Sequence, residues 1–231
     1  MQRRRIAVSL AALATASALV LAGCGGGDGG GGGDGKSDKI QGAGNGKKAS
    51  PSSSTGERAS AADNFGTADI KLPKDLKLTY DWDKPSDPAK AAALDGAADY
   101  VRAMMHSSAT LDPKDPLIAK HSVPLQSAQA AASAKARAGM KSKKTVTGTF
   151  HHYRANVGDV VKGNLAEVSF CADQSRYFSK DVESGKILRT KPGPGRYLHF
   201  SLVMQKGTDE KSIWRAKTIE LTTKAVKECA K

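Results

Sequence analysis

Four sets of residues have types and spacings that could do chemistry. Cys24 directly follows Ala22 and Gly23, small residues that fit a peptidase groove, and its thiol can take a diacylglycerol. His151, His152 and Tyr153 are consecutive. On a strand His151 and Tyr153 share one face and His152 takes the other, so the two histidines cannot chelate one ion. Either could still act as an acid or base near neutral pH if it pointed into a concave site. Asp99 and His106 stand seven apart in a helical pattern, hence on one side of a helix. Ser175, Asp181 and His199 have the residue types of a hydrolase triad.

Each set has a plainer reading. A strand histidine can simply face solvent or hold a hydrogen bond, and triad types occur in most chains of this length. The chain has no Gly-x-Ser-x-Gly elbow and no His-Glu-x-x-His helix. With Leu94, Val101 and Met105 facing a core, Asp99 is expected at the helix edge, solvated. No catalytic residue, metal site or cofactor is assigned, and Asp99, Tyr153 and His199 are kept as candidates for the lining of a pocket.

The setting of Cys24 is specific. Arg3, Arg4 and Arg5 precede an apolar run from Ile6 to Leu21, too short and wrongly flanked for a transmembrane span, and then Leu21-Ala22-Gly23-Cys24. This stretch resembles the signal of bacterial lipoproteins. The resemblance implies cleavage after residue 23, lipidation of Cys24 and a protein held on the extracytoplasmic face of the cell membrane by acyl chains without spanning it. The three arginines leave the general secretory and twin-arginine export routes both open.

Charge and cysteines bound the partners. The chain carries a formal net charge of +13. The excess lies after residue 69, where 28 basic side chains face 17 acidic ones. Such a balance favours anionic headgroups, anionic wall polymers or an envelope protein of opposite charge, and export makes nucleic acid the least suited partner. Lys135, Arg137, Lys141, Lys143 and Lys144 form a candidate anionic-surface patch, with a solvated face as the plain alternative. Few aromatics interleave them, unlike a base-stacking platform. An oxidising compartment predicts a disulfide between the two remaining cysteines, Cys171 and Cys229, enclosing nearly sixty residues.

The elements that must position these residues follow from pattern. Residues 24–68 are glycine-rich and then Ser/Lys/Asn/Ala-rich, a flexible tether whose r.m.s. span is about 35 to 40 Å. Residues 69–231 are expected to form one domain with a real core. Leu76 to Trp82 reads as an edge strand or extended lead-in. Asp87-Pro88 caps a helix to about Ser108, Leu117 to His121 is a short helical piece, and an alanine-rich helix runs from Leu125 to a natural stop at Gly139. Four β segments then begin at Thr145, Leu165, Tyr197 and Ile213. Lys191 to Arg196 reads as a rigid turn, since its prolines remove the donors that a phosphate cradle needs.

Helices first and an antiparallel sheet after them give an α+β fold, with N-terminal helices packed on a curved sheet. Together with Trp214 in the last strand and the pair Cys171 and Cys229, this order resembles the nuclear-transport-factor-2-like cone fold. The resemblance implies helices covering the mouth of a conical sheet whose interior holds a small ligand, an active site or nothing. The expected function is a membrane-anchored lipoprotein displaying a small basic interaction domain, non-catalytic. The alternative is a cone-fold small-ligand carrier, or an isomerase- or cyclase-like enzyme, using the concave face.

Overall fold

The computed structural model describes residues 65–208 and 211–230. Cys24, the signal at 1–23 and the tether up to residue 64 lie outside the described residues. The chain is α+β. Strand β1 (Leu76–Asp81) leads into helices α1 (Pro88–Thr110), α2 (Pro116–His121) and α3 (Ser127–Ser142). Strands β2 (Lys144–Val157), β3 (Leu165–Asp181), β4 (Ile187–Leu188), β5 (Tyr197–Lys206) and β6 (Trp214–Thr223) follow, and α4 (Val226–Cys229) closes the chain.

The sheet runs β1-β2-β3-β5-β6, with β4 pairing β3 at its far end. β1 is a parallel edge strand on β2, and the main ladders are antiparallel. β2 and β3, of 14 and 17 residues, are long enough to need bending. Their register shifts twice, between Thr149 and His151 and between Tyr153 and Asn156. Bulges at these points bend the strands around the helices. Arg154, inside the second shift, takes φ 53° to make room for the extra residue.

Helix starts follow the capping chemistry. Asp87 accepts from Lys90 N at 2.9 Å ahead of Pro88, and Asp115 accepts from Leu117 N at 2.9 Å ahead of Pro116. The expected stop at Gly139 is not where α3 ends. A Cβ there would meet Leu111 Cδ2 and Lys144 O, each at 2.8 Å, so Gly139 serves a close crossing. The helix stops at Lys143, whose φ of 51° supplies the left-handed cap.

The core lies between α1 and the inner sheet face. Leu94, Ala97, Ala98, Val101 and Met105 of α1 meet Phe150, Phe170, Phe200, Leu202 and Met204 of the sheet. Phe170 and Phe200 stack with centroids 4.9 Å apart. Gly96 lets α1 approach β6 closely, since a Cβ there would meet Trp214 Cβ at 2.6 Å. Core packing begins ahead of residue 69, because Phe65 is buried against Tyr80 and Trp82. On the outer face, Cys171 and Cys229 are bonded across 58 residues and pack with Tyr153 and Ala225.

Candidate functional site

The inner face of the sheet is not filled along its whole length. A hollow of about 300 Å³ opens between α1, α3 and strands β2, β3, β5 and β6. Its walls are mainly apolar, with Met104 and Met105 from α1, Ala131 from α3, and Phe150, Leu198, Phe200, Ile219 and Leu221 from the sheet. The cause is legible in α3. Its inward-facing residues Ala128, Ala132 and Ala136 are fully buried and small, and Ala131 leaves the adjoining space open where a leucine would occupy it. A volume of this size suits a small ligand.

Three polar side chains reach the hollow. Gln174 donates from Nε2 to Gly195 O at 2.7 Å, tying the 190–196 loop to β3. The Tyr177 ring stacks on Phe150 with centroids 4.8 Å apart, and among the described residues its hydroxyl donates only to Met105 Sδ, at 3.5 Å. Burial pushes the Tyr177 pKa up. Lys135 lays its ammonium over the Tyr177 ring, 5.6 Å from the centroid. The lysine is exposed, its ammonium lies at the rim of the hollow, and the neighbouring walls push its pKa down by desolvation. A second groove of about 300 Å³ lies under the loop and shares Gln174 and Tyr177 with the hollow.

None of the three expected pocket residues lines this hollow. Asp99 is 2% exposed, not a solvated edge residue. Its carboxylate accepts from Thr67 N, Thr67 Oγ1 and Ala68 N at 2.7 to 3.1 Å, and so binds the chain ahead of β1 to α1. Tyr153 donates its hydroxyl to Cys229 O at 2.6 Å on the outer face. His199 pairs in register with Cys171 and therefore also points to that face. The α1 carboxylate and these two residues stand on opposite sides of the sheet, so the three make no common site.

The other sets separate too. His152 is buried among Tyr80, Trp82, Phe150 and Phe170, while His151 stacks on Tyr153 at 5.4 Å across the sheet. The alternation expected of a strand thus holds through this tripeptide. His106 binds Asp115 at 2.5 Å, within the α1–α2 connection. All five residues of the expected basic patch are exposed; Lys135 lays its ammonium over Tyr177, Lys143 pairs with Glu183 at 2.6 Å, Lys144 sits opposite Asp181, and Arg137 and Lys141 form no ion pair among the described residues.

No family model matches the chain, and no curated protein matches it. Among solved structures it is similar to a nuclear transport factor 2 (NTF2-like) superfamily protein from Salmonella enterica serovar Typhimurium. That likeness has a TM-score of 0.38 at 18% identity and covers 60% of this chain and 93% of the other.

The hollow draws on residues that sequence reasoning passed over. Phe150, Leu198, Phe200, Met104 and Met105 read as core, and Lys135 reads as surface. The usable signal was the run of alanines in α3, a helix too thin to fill the face that it covers.

Proposed function

We propose that this protein is a lipid-anchored extracytoplasmic binding protein that holds a small, largely apolar molecule in the hollow between α1, α3 and the sheet. The observation that supports it is the open, apolar-walled volume of about 300 Å³ to which α3 contributes only Ala131 and the side chain of Lys135. Of the two readings that the sequence left, a filled interaction domain and a carrier using the concave face, the hollow favours the carrier. Catalysis has less support, because Asp99, Tyr153 and His199 are each engaged elsewhere or turned away.

Two experiments test this reading. Nile red, a neutral apolar dye, is expected to bind the full-length chain carrying Cys24→Ala at one site and to brighten. Ala131→Trp fills the hollow and abolishes that signal while leaving the unfolding midpoint within a few degrees. Dye binding that survives Ala131→Trp overturns the carrier reading. For anchoring, Cys24 should incorporate labelled palmitate in cells and partition with membranes, and Cys24→Ala should release the protein. Unlabelled, soluble wild-type protein overturns that part.

The exposure of Arg137 and Lys141, neither of which forms an ion pair among the described residues, supports a second, weaker contact with anionic wall polymer. Cosedimentation with purified polymer should fall steeply between low and physiological salt if the contact forms, since exposed charges are screened over about 8 Å at that ionic strength. Salt-independent sedimentation, or none, removes it.

A further inference from the structure

The hollow sets one cation and one phenol hydroxyl against a mainly apolar wall that holds no carboxylate. Lys135 brings an ammonium to its wall, and among the described residues no carboxylate forms an ion pair with it. The Tyr177 hydroxyl, in the same wall, finds among the described residues only a thioether, which is a weak acceptor. Gln174 gives one of its two Nε2 N–H groups to Gly195 O, and it carries no charge to pair with an anion. A cation at the rim and a half-buried phenol, side by side against an apolar wall, face no anionic oxygen among the described residues.

We infer that the hollow binds an amphipathic monoanion, a medium-chain aliphatic carboxylate, with its carboxylate on Lys135 and Tyr177 and its chain along the methionine and phenylalanine walls. This rests on the carrier reading above and adds the charge of the ligand to it. The apolar lining calls for an aliphatic body, because a hydrated polyanion would leave its solvation unreplaced there. The single cation calls for a single negative charge. Tyr177 contributes the directional bond, and its ring holds the ammonium in place through its face.

Decanoate, decan-1-ol and decylamine share a chain and differ in head group, so they separate charge from shape. The full-length chain carrying Cys24→Ala keeps acyl chains off residue 24 and is titrated with each by calorimetry. Decanoate is expected to bind about tenfold or more tighter than decan-1-ol, and decylamine weakest, as suits a hydrogen bond to a charged group. Lys135→Met should remove that preference while leaving decan-1-ol unchanged, Lys135→Arg should restore much of it, and Tyr177→Phe should weaken decanoate by a few-fold. Equal affinity for decanoate and decan-1-ol, insensitive to Lys135→Met, overturns the anionic assignment and leaves the carrier reading standing. Absence of binding by all three, with Nile red also silent, overturns both. A lyso-phospholipid competing better than decanoate shifts the source of the anion from a free acid to a membrane lipid, and still requires Lys135.

Discussion

His152 stacks on Tyr80 with ring centroids 5.0 Å apart and donates from Nδ1 to Thr79 O at 3.3 Å. Its Nε2 is buried among aromatic rings with no hydrogen-bond partner among the described residues. Burial is the chief reason that its pKa falls from 6.5 to about 3. Between these values the unfolded chain binds a proton that the folded one refuses, so stability rises with pH across that window. It is fully present above about pH 6.5 and is lost as pH falls towards 3, at about 1.4 kcal/mol per pH unit within the window. Burial lowers the pKa of His121 as well and adds in the same direction. Urea midpoints measured at pH 7 and pH 4 should show the drop, and His152→Phe should make it smaller. An equal drop in the variant would assign it to other groups.

Removal of the outer-face disulfide should be costly. Cys171 and Cys229 are 58 residues apart, and closing such a loop restricts the unfolded chain by about 4 kcal/mol on the entropy model. Cys171→Ser is expected to lose most of that in denaturant unfolding. A loss no larger than about 0.5 kcal/mol, the scatter of surface substitutions, would show that the reduced chain keeps its ends together without the bond.

Asp99→Asn should loosen the segment ahead of β1. The carboxylate serves three donors on Thr67 and Ala68, and an amide can accept with only one of its two head atoms. The cost is expected at about 1 to 3 kcal/mol, accompanied by faster hydrogen exchange at the amides of Thr67 and Ala68. Unchanged exchange there would place the holding force in Phe65 instead.

Gly96→Ala tests the approach of α1 to β6. Helix propensity alone would make this change stabilising by up to about 1 kcal/mol. The added carbon meets Trp214 Cβ at 2.6 Å and its carbonyl oxygen at 2.8 Å, which reverses the sign and should cost about 1 to 3 kcal/mol. A raised melting temperature would mean that the helix shifts without strain.

The order of elements could be read from the sequence because its signals are local. Asp87-Pro88 set the start of α1, the short helical piece at Leu117 to His121 lies within α2, and the alternation through His151, His152 and Tyr153 assigned their faces correctly. Asp99 was misread because its partners lie 31 and 32 residues earlier, in a segment with no pattern of its own. Lys135 is exposed, as a lysine on an alanine-rich helix suggests, but its place over the Tyr177 ring depends on a strand 42 residues later and has no local signal. The far half of β3, from Ala172 to Asp181, carries Gln174 and Tyr177 into the hollow, yet its polar residues blur the alternation that starts at Leu165.

Phe65 to Ala68 also set how the domain answers mechanical load. A pull on the chain ahead of Phe65 is met first by the Asp99 and Asp95 carboxylates and by a phenylalanine wedged against Tyr80 and Trp82. Only after these yield does tension reach β1, which among the described strands pairs with β2 alone. The disulfide clamps the opposite terminus to β3 in the middle of the sheet. Under force the molecule therefore has a weak end and a locked end. It should peel from the first, in two steps, with the helix-covered hollow the last part to open.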